Sequence, residues 1–400
     1  MAGALPDGEP VPTDGSLPDE ATRHVGENGF AVYVHVPFCA SRCGYCDFNT
    51  YTASELGGGA SRDEYASTVL QELELAARVI EPGKRVDTVF VGGGTPTLLP
   101  ADDLGRILEG IDNTWGLAAD AEVTTEANPE SVDISYLKTL RNAGFTRISL
   151  GMQSAAENVL RVLDRKHTAG RAPQAALEAR DAGFEHVNLD LIYGTPGESP
   201  DDFARSLNAV VDAGVDHVSA YALIVEDGTR MATRMRRGEL PFPEDDVAAD
   251  RYLAAEAALT GAGFEWYEVS NWAKKGGECR HNLLYWTGAD WWGLGPGAHS
   301  HVGGVRWWNV KHPSAYAKRL AAGESPGLAR EVLTDEDRHM EDVMLRVRLR
   351  EGISLRGLNK DAAARALAGG LLDKGAYDRG QLVLTLRGRL LADAVIRDVI

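Results

Sequence analysis

From residue 30 to about residue 222 the sequence repeats one pattern, in which a short run of β-branched residues is followed by an amphipathic stretch of helical periodicity. Neighbouring parallel strands need a crossover connection, usually a helix, so this alternation predicts a parallel sheet. Strands are predicted at 31–36, 86–91, 121–126, 146–151, 186–192 and 216–222, and helices near 62–80, 101–112, 133–143, 171–182 and 200–213.

The predicted strands are apolar along almost their whole length, which indicates burial on both faces of the sheet. A barrel and a flat doubly wound sheet both meet this requirement. A barrel collects its functional groups at the carboxyl ends of its strands, and unusual residues follow every predicted strand here. We therefore predict an α/β fold built on a partial (β/α)6 TIM-like barrel.

The residues that end the predicted strands are glycine or polar. The second strand runs into Gly92-Gly93-Gly94-Thr95-Pro96, where missing side chains let backbone N–H groups approach a ligand. Taken singly, each polar residue is more simply a solvated strand end, but together they predict one ligand site. The polar strand ends are Glu126, Gln153, Asp190 and Tyr221.

The loop after the first strand carries Cys39, Cys43 and Cys46, spaced Cys-x3-Cys-x2-Cys. Thiolates suit Fe–S clusters and zinc, and either cage usually has four protein donors. The fourth cysteine, Cys279, is far away in sequence, so one metal position is left for an exchangeable ligand. Two alternatives stay open, namely a zinc site completed from a distance and three packed thiols. Four cysteines in 400 residues do not indicate a disulfide framework.

The segment Tyr33-Val-His-Val-Pro-Phe-Cys39 through Cys46-Asp-Phe-Asn49 resembles the cluster loop of radical SAM enzymes. The resemblance implies a 4Fe–4S cluster on the three cysteines, with S-adenosylmethionine chelating the fourth iron. Similarity to the family around oxygen-independent coproporphyrinogen oxidase implies contacts of the glycine run with the amino group, of Arg165 with the carboxylate, and of Glu126 or Asp190 with the ribose. The full set of implied S-adenosylmethionine contacts is Tyr33, Gly93, Gly94, Thr95, Glu126, Gln153, Arg165, Asp190 and Ile224.

Residues 263–312 hold seven of the eight tryptophans and four of the ten histidines. Aromatic walls with an imidazole suit haem, whereas the alternative is an aromatic cap that closes the barrel. The run His281-Asn282-Leu-Leu-Tyr285-Trp286 resembles the His-Asn-x-x-Tyr-Trp signature of HemW-type haem chaperones. That resemblance implies haem as a further cofactor and His281 as its contact, although a hydrogen-bonded core imidazole is equally compatible with the sequence. Cys279 is either a haem anchor or, as we favour, a packed thiol.

Position 48 separates two functions within this resemblance. The coproporphyrinogen oxidases resemble Cys-x3-Cys-x2-Cys-x-Cys, whereas this chain has Phe48 at the last position. The resemblance therefore implies a haem chaperone that binds haem and transfers it to an unidentified acceptor protein, and it leaves open whether the chain is an enzyme. The alternative is an oxygen-independent coproporphyrinogen III oxidase or another radical SAM oxidoreductase, and a degenerate scaffold without cofactors is a third.

The remaining sequence predicts four regions. Residues 1–28 are rich in Pro, Gly and acidic residues, which is typical of a disordered leader. Residues 29–262 form the core, and residues 263–329 form an aromatic and His-rich extension that closes the barrel. Residues 330–400 resemble a small winged-helix-like C-terminal domain, for which we expect a lid or partner-docking role.

The formal net charge of −18 disfavours nucleic acid as a ligand, because a phosphate backbone would be repelled. No apolar stretch approaches the roughly 20 residues that span a bilayer, so no integral membrane segment is expected. Without a recognisable signal peptide, we expect a cytoplasmic protein. A homodimer is left open.

Overall fold

The computed structural model describes residues 8–56, 61–81 and 83–400. Within them, thirteen strands form one sheet and two short strands form another. In chain order the strands are β1 (Glu9–Pro10), β2 (Phe30–Val36), β3 (Val86–Gly93), β4 (Leu117–Ala127), β5 (Arg147–Gln153), β6 (His186–Tyr193), β7 (His217–Ala222), β8 (Glu265–Glu268), β9 (Asn271–Ala273), β10 (Asp290–Leu294), β11 (His299–Val302), β12 (Val305–Asn309), β13 (Gly327–Val332), β14 (Ile353–Ser354) and β15 (Gln381–Leu382).

Strands β2 to β7 lie side by side in chain order and are all parallel, which is the arrangement of the predicted partial (β/α)6 barrel. All six predicted strands are confirmed. The largest difference is at the start of β4, which begins at Leu117 and not at residue 121.

The crossover helices of the barrel begin and end where their sequence signals place them. Helix α4, for example, starts after Asp133, whose carboxylate accepts the Tyr136 N–H at 2.8 Å, and ends at Gly144, which has a left-handed φ of 111°. The five predicted helices are confirmed. The helices are α1 (Asp19–Arg23), α2 (Arg62–Val79), α3 (Ala101–Trp115), α4 (Ile134–Ala143), α5 (Glu157–Val162), α6 (Arg171–Asp181), α7 (Pro200–Asp212), α8 (Arg230–Arg236), α9 (Asp245–Gly261), α10 (Arg280–Trp286), α11 (Pro313–Ala321), α12 (Asp335–Arg346), α13 (Lys360–Ala368), α14 (Lys374–Asp378), α15 (Leu386–Leu390) and α16 (Ala392–Val399).

The tryptophan-rich region mainly widens the sheet. Strand β10 adds in parallel to β2 and is followed by the antiparallel strands β11, β12, β13 and β1, while β9 and β8 add beyond β7. Trp292 and Trp307 pack edge to face with ring centroids 4.8 Å apart. The prediction of an extension that closes the barrel is therefore corrected, because its strands continue the sheet at both edges. Helix α10 contributes His281 and Tyr285 to the lining of the barrel interior.

Residues 8–28 also belong to the fold. Strand β1 pairs with β13, Arg330 forms an ion pair of 2.7 Å with Glu9, and Ala21 and Val25 are buried. The prediction of a disordered leader is wrong for these residues, because a partner strand more than three hundred residues later supplies the hydrogen bonds that the local composition does not reveal. Residues 1–7 of the predicted leader lie outside the described residues.

The C-terminal part has a hydrophobic core of its own, built from α12 to α16 and the β14–β15 pair. Strand β13 runs across the predicted boundary at residues 329 and 330 and belongs to the large sheet, so the separate core begins only with α12. Among the described residues, no helix combines the length and the apolarity that crossing a membrane would need.

Candidate cofactor site at the carboxyl ends of the barrel strands

In strands β4 to β7, polar side chains at alternate positions line the barrel interior. Strand β5 contributes Arg147 and Ser149, β6 contributes Asn188 and Asp190, and these side chains line a cavity of about 220 Å³. The cavity is also lined by Tyr33, Phe90, Thr124, Glu126, His217, Ser219, Tyr221, Cys279, His281, Asn282 and Tyr285. The interior is thus a polar chamber in which a charged ligand can be held.

Two half-buried carboxyl groups, Glu126 and Asp190, lie towards the carboxyl ends of the strands. Loss of solvent and the negative charge of Asp190 together raise the pKa of Glu126 to about 8, against the lowering effect of a 2.9 Å hydrogen bond from the Gly93 N–H. Burial also raises the pKa of Asp190, although Ser149 and Asn188 donate to its carboxylate. Such a pair favours a cationic ligand, which would relieve the repulsion.

The glycine run after β3 packs directly against the cysteine loop, residues 37–51. A Cβ on Gly94 would lie 2.5 Å from the Phe38 carbonyl oxygen and 3.1 Å from Cys39 Sγ. The Gly94 N–H donates to the Val36 carbonyl oxygen at 2.8 Å and the Thr95 N–H donates to that of Phe38 at 2.7 Å. Glycine is therefore required at position 94 by the closeness of the thiol-bearing backbone.

The three thiols of the loop lie near one another. Burial, together with the neighbouring Cys39 and Cys43, raises the pKa of Cys46 to about 11. Within the described residues, no three His, Cys, Asp or Glu side chains are already arranged as a metal cage. The donor set nevertheless fits an iron–sulfur cluster, since three soft sulfur ligands approach one another and binding would replace their protons.

Arg165 connects the cysteine loop with the end of β5. Its Nη2 donates to the Gly151 carbonyl oxygen at 2.9 Å and its Nη1 lies 3.6 Å from Cys43 Sγ. Its Nε is buried and has no hydrogen-bond partner among the described residues, so one donor of the guanidinium is available to a ligand. The adjacent Gln153 has a left-handed φ of 64°, an uncommon conformation for a residue other than glycine.

A hydrogen-bonded relay fixes the start of the loop. The Tyr33 hydroxyl lies 3.0 Å from His35 Nδ1, and His35 Nε2 donates to the Asn49 carbonyl oxygen at 2.9 Å. His35 is thus a buried imidazole that supports the loop. We call the cysteine loop and the residues at the carboxyl ends of the barrel strands the rim. Two residues of the rim are open to solvent: Ile224, which follows β7, is 67% exposed, and Phe48 in the loop is 62% exposed.

The signature segment, residues 281–286, lies at the opposite end of the barrel interior. His281 is 1% exposed, its Nδ1 lies 2.7 Å from the Thr88 hydroxyl and its Nε2 lies 2.9 Å from the Tyr285 hydroxyl. Burial lowers the pKa of His281 to about 3. As the chain is folded, this imidazole can ligate iron only by giving up one of its two hydrogen bonds.

The same end of the barrel contains a buried ion pair. Arg147 Nε lies 3.1 Å from Glu122 Oε2, and the backbone N–H groups of Arg280 and His281 donate to the same carboxylate. The thiol of Cys279 is buried and lies 3.4 Å from Glu122 Oε1, which is the geometry of the packed thiol that we favoured. The amino-terminal end of the barrel is therefore closed by groups that mostly bind one another, although Arg147 Nη1 has no hydrogen-bond partner among the described residues.

Comparison with known proteins agrees with this geometry. The model of the Radical SAM superfamily matches residues 33–210. The heme chaperone HemW of Mycobacterium tuberculosis (strain ATCC 25618 / H37Rv) is 57% identical over 374 residues, covering 93% of this chain and 95% of the relative. The Bacillus subtilis (strain 168) protein of the same name is 32% identical over 375 residues, covering 91% and 97%. This chain belongs to the HemW family.

The structure of Escherichia coli coproporphyrinogen III oxidase, HemN, superimposes with a TM-score of 0.81 at 24% identity, covering 95% of this chain and 92% of the other. At this identity the likeness shows the fold, and it confirms the predicted barrel with its small C-terminal domain. Membership of the HemW family favours the chaperone prediction over the oxidase alternative. A 4Fe–4S cluster and S-adenosylmethionine are the cofactors of the superfamily, and the residues of the rim fit both.

The structure brings together most of the predicted contacts of the HemW-family site. Tyr33, Glu126 and Asp190 line one cavity, and Arg165 reaches the cysteine loop. The sequence reasoning missed the interior residues Thr124, Arg147, Ser149, Asn188, His217 and Ser219. The sequence does contain a signal for them, because polar residues recur at every second position of β4 to β7. The prediction of strands that are apolar along almost their whole length overlooked this alternation.

Proposed function

We propose that this protein is a haem chaperone that binds haem and hands it to an acceptor protein, and that it carries a 4Fe–4S cluster with S-adenosylmethionine at the open iron. The observation that carries the proposal is the 57% identity with a heme chaperone HemW over 93% of the chain. The sequence at position 48 supports it, since Phe48 replaces the last cysteine of the oxidase pattern.

The residues of the rim provide what the two smaller cofactors need. In this proposal Cys39, Cys43 and Cys46 would hold the cluster, which would supply the electron that reduces the sulfonium group. The Arg165 guanidinium lies beside Cys43 and has its Nε free for a carboxylate. Glu126 and Asp190 accept hydrogen bonds and offset positive charge. The remaining proposed contacts are Tyr33, Gly93, Gly94, Thr95, Gln153 and Ile224.

The haem acceptor, a cytoplasmic location and a homodimer belong to this proposal and are not required by the fold. The C-terminal domain is held to the barrel by ion pairs of Arg389 with Glu256 at 2.8 Å and of Arg350 with Glu265 at 3.0 Å. In this proposal its outer surface docks the partner. His281 remains the haem contact implied by the signature, at the cost of one of its present hydrogen bonds.

One experiment separates chaperone from oxidase. Anaerobically reconstituted protein is loaded with one equivalent of haem, desalted and mixed with an apo-globin as acceptor, and the globin spectrum is followed. In parallel, reduced protein receives coproporphyrinogen III and S-adenosylmethionine. We expect haem transfer without protoporphyrinogen formation. Formation of protoporphyrinogen with 5′-deoxyadenosine, or the absence of retained haem, contradicts the proposal.

A further inference from the structure

The four histidines of the tryptophan-rich region differ in whether a ring nitrogen is free to bind a metal. Both nitrogens of His281 are hydrogen bonded. Nδ1 of His312 accepts the Ser314 N–H at 3.2 Å, so in the neutral ring Nε2 carries the proton and has no lone pair to offer. His299 is exposed and stacks on Trp308, with ring centroids 5.9 Å apart, but no hydrogen bond among the described residues fixes its tautomer.

His301 has the arrangement that metal-binding histidines show. Its Nδ1 lies 3.2 Å from the Ala289 carbonyl oxygen, and a carbonyl can only accept, so Nδ1 carries the proton and Nε2 carries the lone pair. Nε2 has no hydrogen-bond partner within the described parts of the chain. Burial lowers the pKa of His301, so the ring is neutral at pH 7 and its lone pair is available.

We infer that His301 Nε2 is an axial ligand of the haem iron, at a site on the inner face of the β10–β12 extension. The inference rests on the proposed function for the identity of the ligand, and it assigns the haem to a place other than the signature segment.

The surroundings of His301 offer aromatic side chains to a flat ligand, and its two neighbouring carboxylates, Asp290 and Glu341, are already bound by backbone N–H groups and by Arg306. The His301 ring lies 5.0 Å from that of Trp291, which in turn packs 4.9 Å from Tyr285. Helix α12 faces the same hairpin, because Glu341 forms an ion pair of 2.7 Å with Arg306, the register partner of His301. Met344, one turn beyond Glu341 on the same helix face, is 39% exposed and adds a polarisable apolar side chain.

A cation is also present at the turn of this hairpin. A Cβ on Gly304 would collide with the guanidinium of Arg338. That guanidinium therefore packs against a glycine that follows His301 by only three residues. Its Nε donates to the Leu333 carbonyl oxygen at 3.4 Å, and Arg338 forms no ion pair within the described residues. It is therefore available to pair with a haem propionate.

A rival histidine elsewhere is less suitable. His186 donates from Nδ1 to Asp216 at 2.6 Å and also leaves Nε2 without a hydrogen-bond partner among residues 8–56, 61–81 and 83–400. Its side chain opens into a cavity lined by Asp120, Glu185 and Glu278 and by Arg280 and Arg350. Both arginines are already paired with carboxylates, Arg280 with Asp120 and Arg350 with Glu278, so neither is free to pair with a propionate.

The site is remote from the cysteine loop. His301 pairs with Trp291, which is level with Ala31 at the start of β2, whereas the loop begins after Val36 at its end. Five residues of strand span about 17 Å. Haem binding at His301 therefore does not require an occupied cluster.

The test is a titration of the full chain with ferric haem, read by the Soret spectrum, resonance Raman and the Kd. We expect His301→Ala to lose the imidazole-ligated spectrum and to bind haem at least about tenfold more weakly. Matched controls are His299→Ala, on the same strand, and His186→Ala, and both should keep the wild-type spectrum. The variant with all three loop cysteines changed to Ala should also bind haem normally.

A second variant distinguishes the loss of an iron ligand from misfolding of the chain. In His301→Gly, added imidazole should occupy the space left by the ring and restore the ligated spectrum. Unchanged spectrum and Kd in His301→Ala, or a loss confined to His186→Ala or His281→Ala, would overturn the assignment while leaving the proposed function intact. A wild-type chain that binds no haem at all would overturn the proposed function, and this site with it.

Discussion

The two ends of the barrel interior carry the two most recognisable motifs of the sequence, and they are built in opposite ways. At the carboxyl ends, Glu126 and Asp190 repel each other, and Arg165 Nε has no partner among the described residues. At the amino-terminal end, Glu122 is held by Arg147 and two backbone N–H groups, and both ring nitrogens of His281 are hydrogen bonded, so that of these groups only Arg147 Nη1 lacks a partner in the described part of the chain. The first end is prepared for a ligand, whereas the second is closed by its own side chains.

This contrast shows that a family signature marks either a site or the structure that supports it, and that the sequence does not distinguish the two. The buried Glu268 illustrates the supporting role. Burial raises its pKa and side-chain hydrogen bonds with Asn271, Trp286 and Asn282 lower it, and the balance leaves the pKa at about 7. Two of these three residues belong to the signature segment. The conformation of α10 is thus fixed by a polar network within the core.

The largest expected effect is at the open end. Changing Cys39, Cys43 and Cys46 together to Ala should abolish iron and sulfide binding after anaerobic reconstitution, because no other thiol approaches the loop. The thermal midpoint should change little, since two of the three thiols are only partly buried. Iron and sulfide analysis with circular dichroism provides the measurement. Cys279→Ala is the matched control and should keep its iron; equal iron in the triple variant would refute the cluster assignment.

At the closed end, the expected effect is on stability. Glu122→Gln leaves the buried Arg147 guanidinium uncompensated, which should lower the free energy of unfolding by about 3–5 kcal/mol. Urea denaturation at pH 7 provides the measurement. Asp120→Asn removes the exposed partner of Arg280 and should cost less than about 1 kcal/mol. Equal losses in both variants would mean that the closed end does not depend on its buried pair.

The pH dependence of the same variant gives a second check. Although burial alone would raise the pKa of Glu122, Arg147 and the N–H groups of His281 and Arg280 bring it below the usual 4.5. A carboxyl group with a lowered folded-state pKa contributes stability above about pH 4.5 that is lost as the pH falls through the folded pKa. The wild-type chain should therefore lose stability on the acid side more steeply than Glu122→Gln.

Much of the fold could be predicted from the sequence, because strand and helix signals within the barrel are local. The six strands and the crossover helices follow from apolar periodicity and caps such as Asp133. Pairings between distant segments could not be predicted, since the register of β1 against β13 depends on residues more than three hundred positions apart. For the same reason the composition of residues 8–28 wrongly predicts a disordered leader.

The candidate site also combines residues that the sequence identifies with contacts that it does not reveal. The three cysteines and the strand-end residues Glu126 and Asp190 were identifiable from spacing and position. The partnering of His281 was not, because Thr88 lies on another element and nothing in the local sequence indicates the contact. Nor could the free Nε2 of His301 be recognised, since it depends on a backbone carbonyl at Ala289.

A smaller effect is expected at the glycine run that follows β3. In Gly94→Ala, the new Cβ would press on the Phe38 carbonyl oxygen and Cys39 Sγ, so we expect a loss of about 1–3 kcal/mol in stability and less cluster per chain. Gly261→Ala is the matched control, because a Cβ there meets nothing within 4 Å in α9. It should be neutral or slightly stabilising. A neutral Gly94→Ala would show that the loop can move away freely.

The smallest expected effect concerns ligand binding at the open end. In the free protein Glu126 has a pKa of about 8, so below that pH it is mostly protonated and must release its proton to face a cationic ligand. The affinity of reconstituted protein for S-adenosylmethionine should therefore rise by about tenfold per pH unit between pH 6 and 8 and then level off. Equilibrium binding across this range, in wild type and Glu126→Gln, isolates the contribution of this carboxyl group from that of the ligand's own amino group. The Glu126→Gln variant should show a flatter profile.

Asp190→Asn should shift the bend in the affinity profile to lower pH, because the repulsion that helps to raise the Glu126 pKa is removed. Parallel profiles in all three proteins would mean that the carboxyl pair does not sense the ligand, and the contrast between an open and a closed end would then rest on the cysteine loop alone.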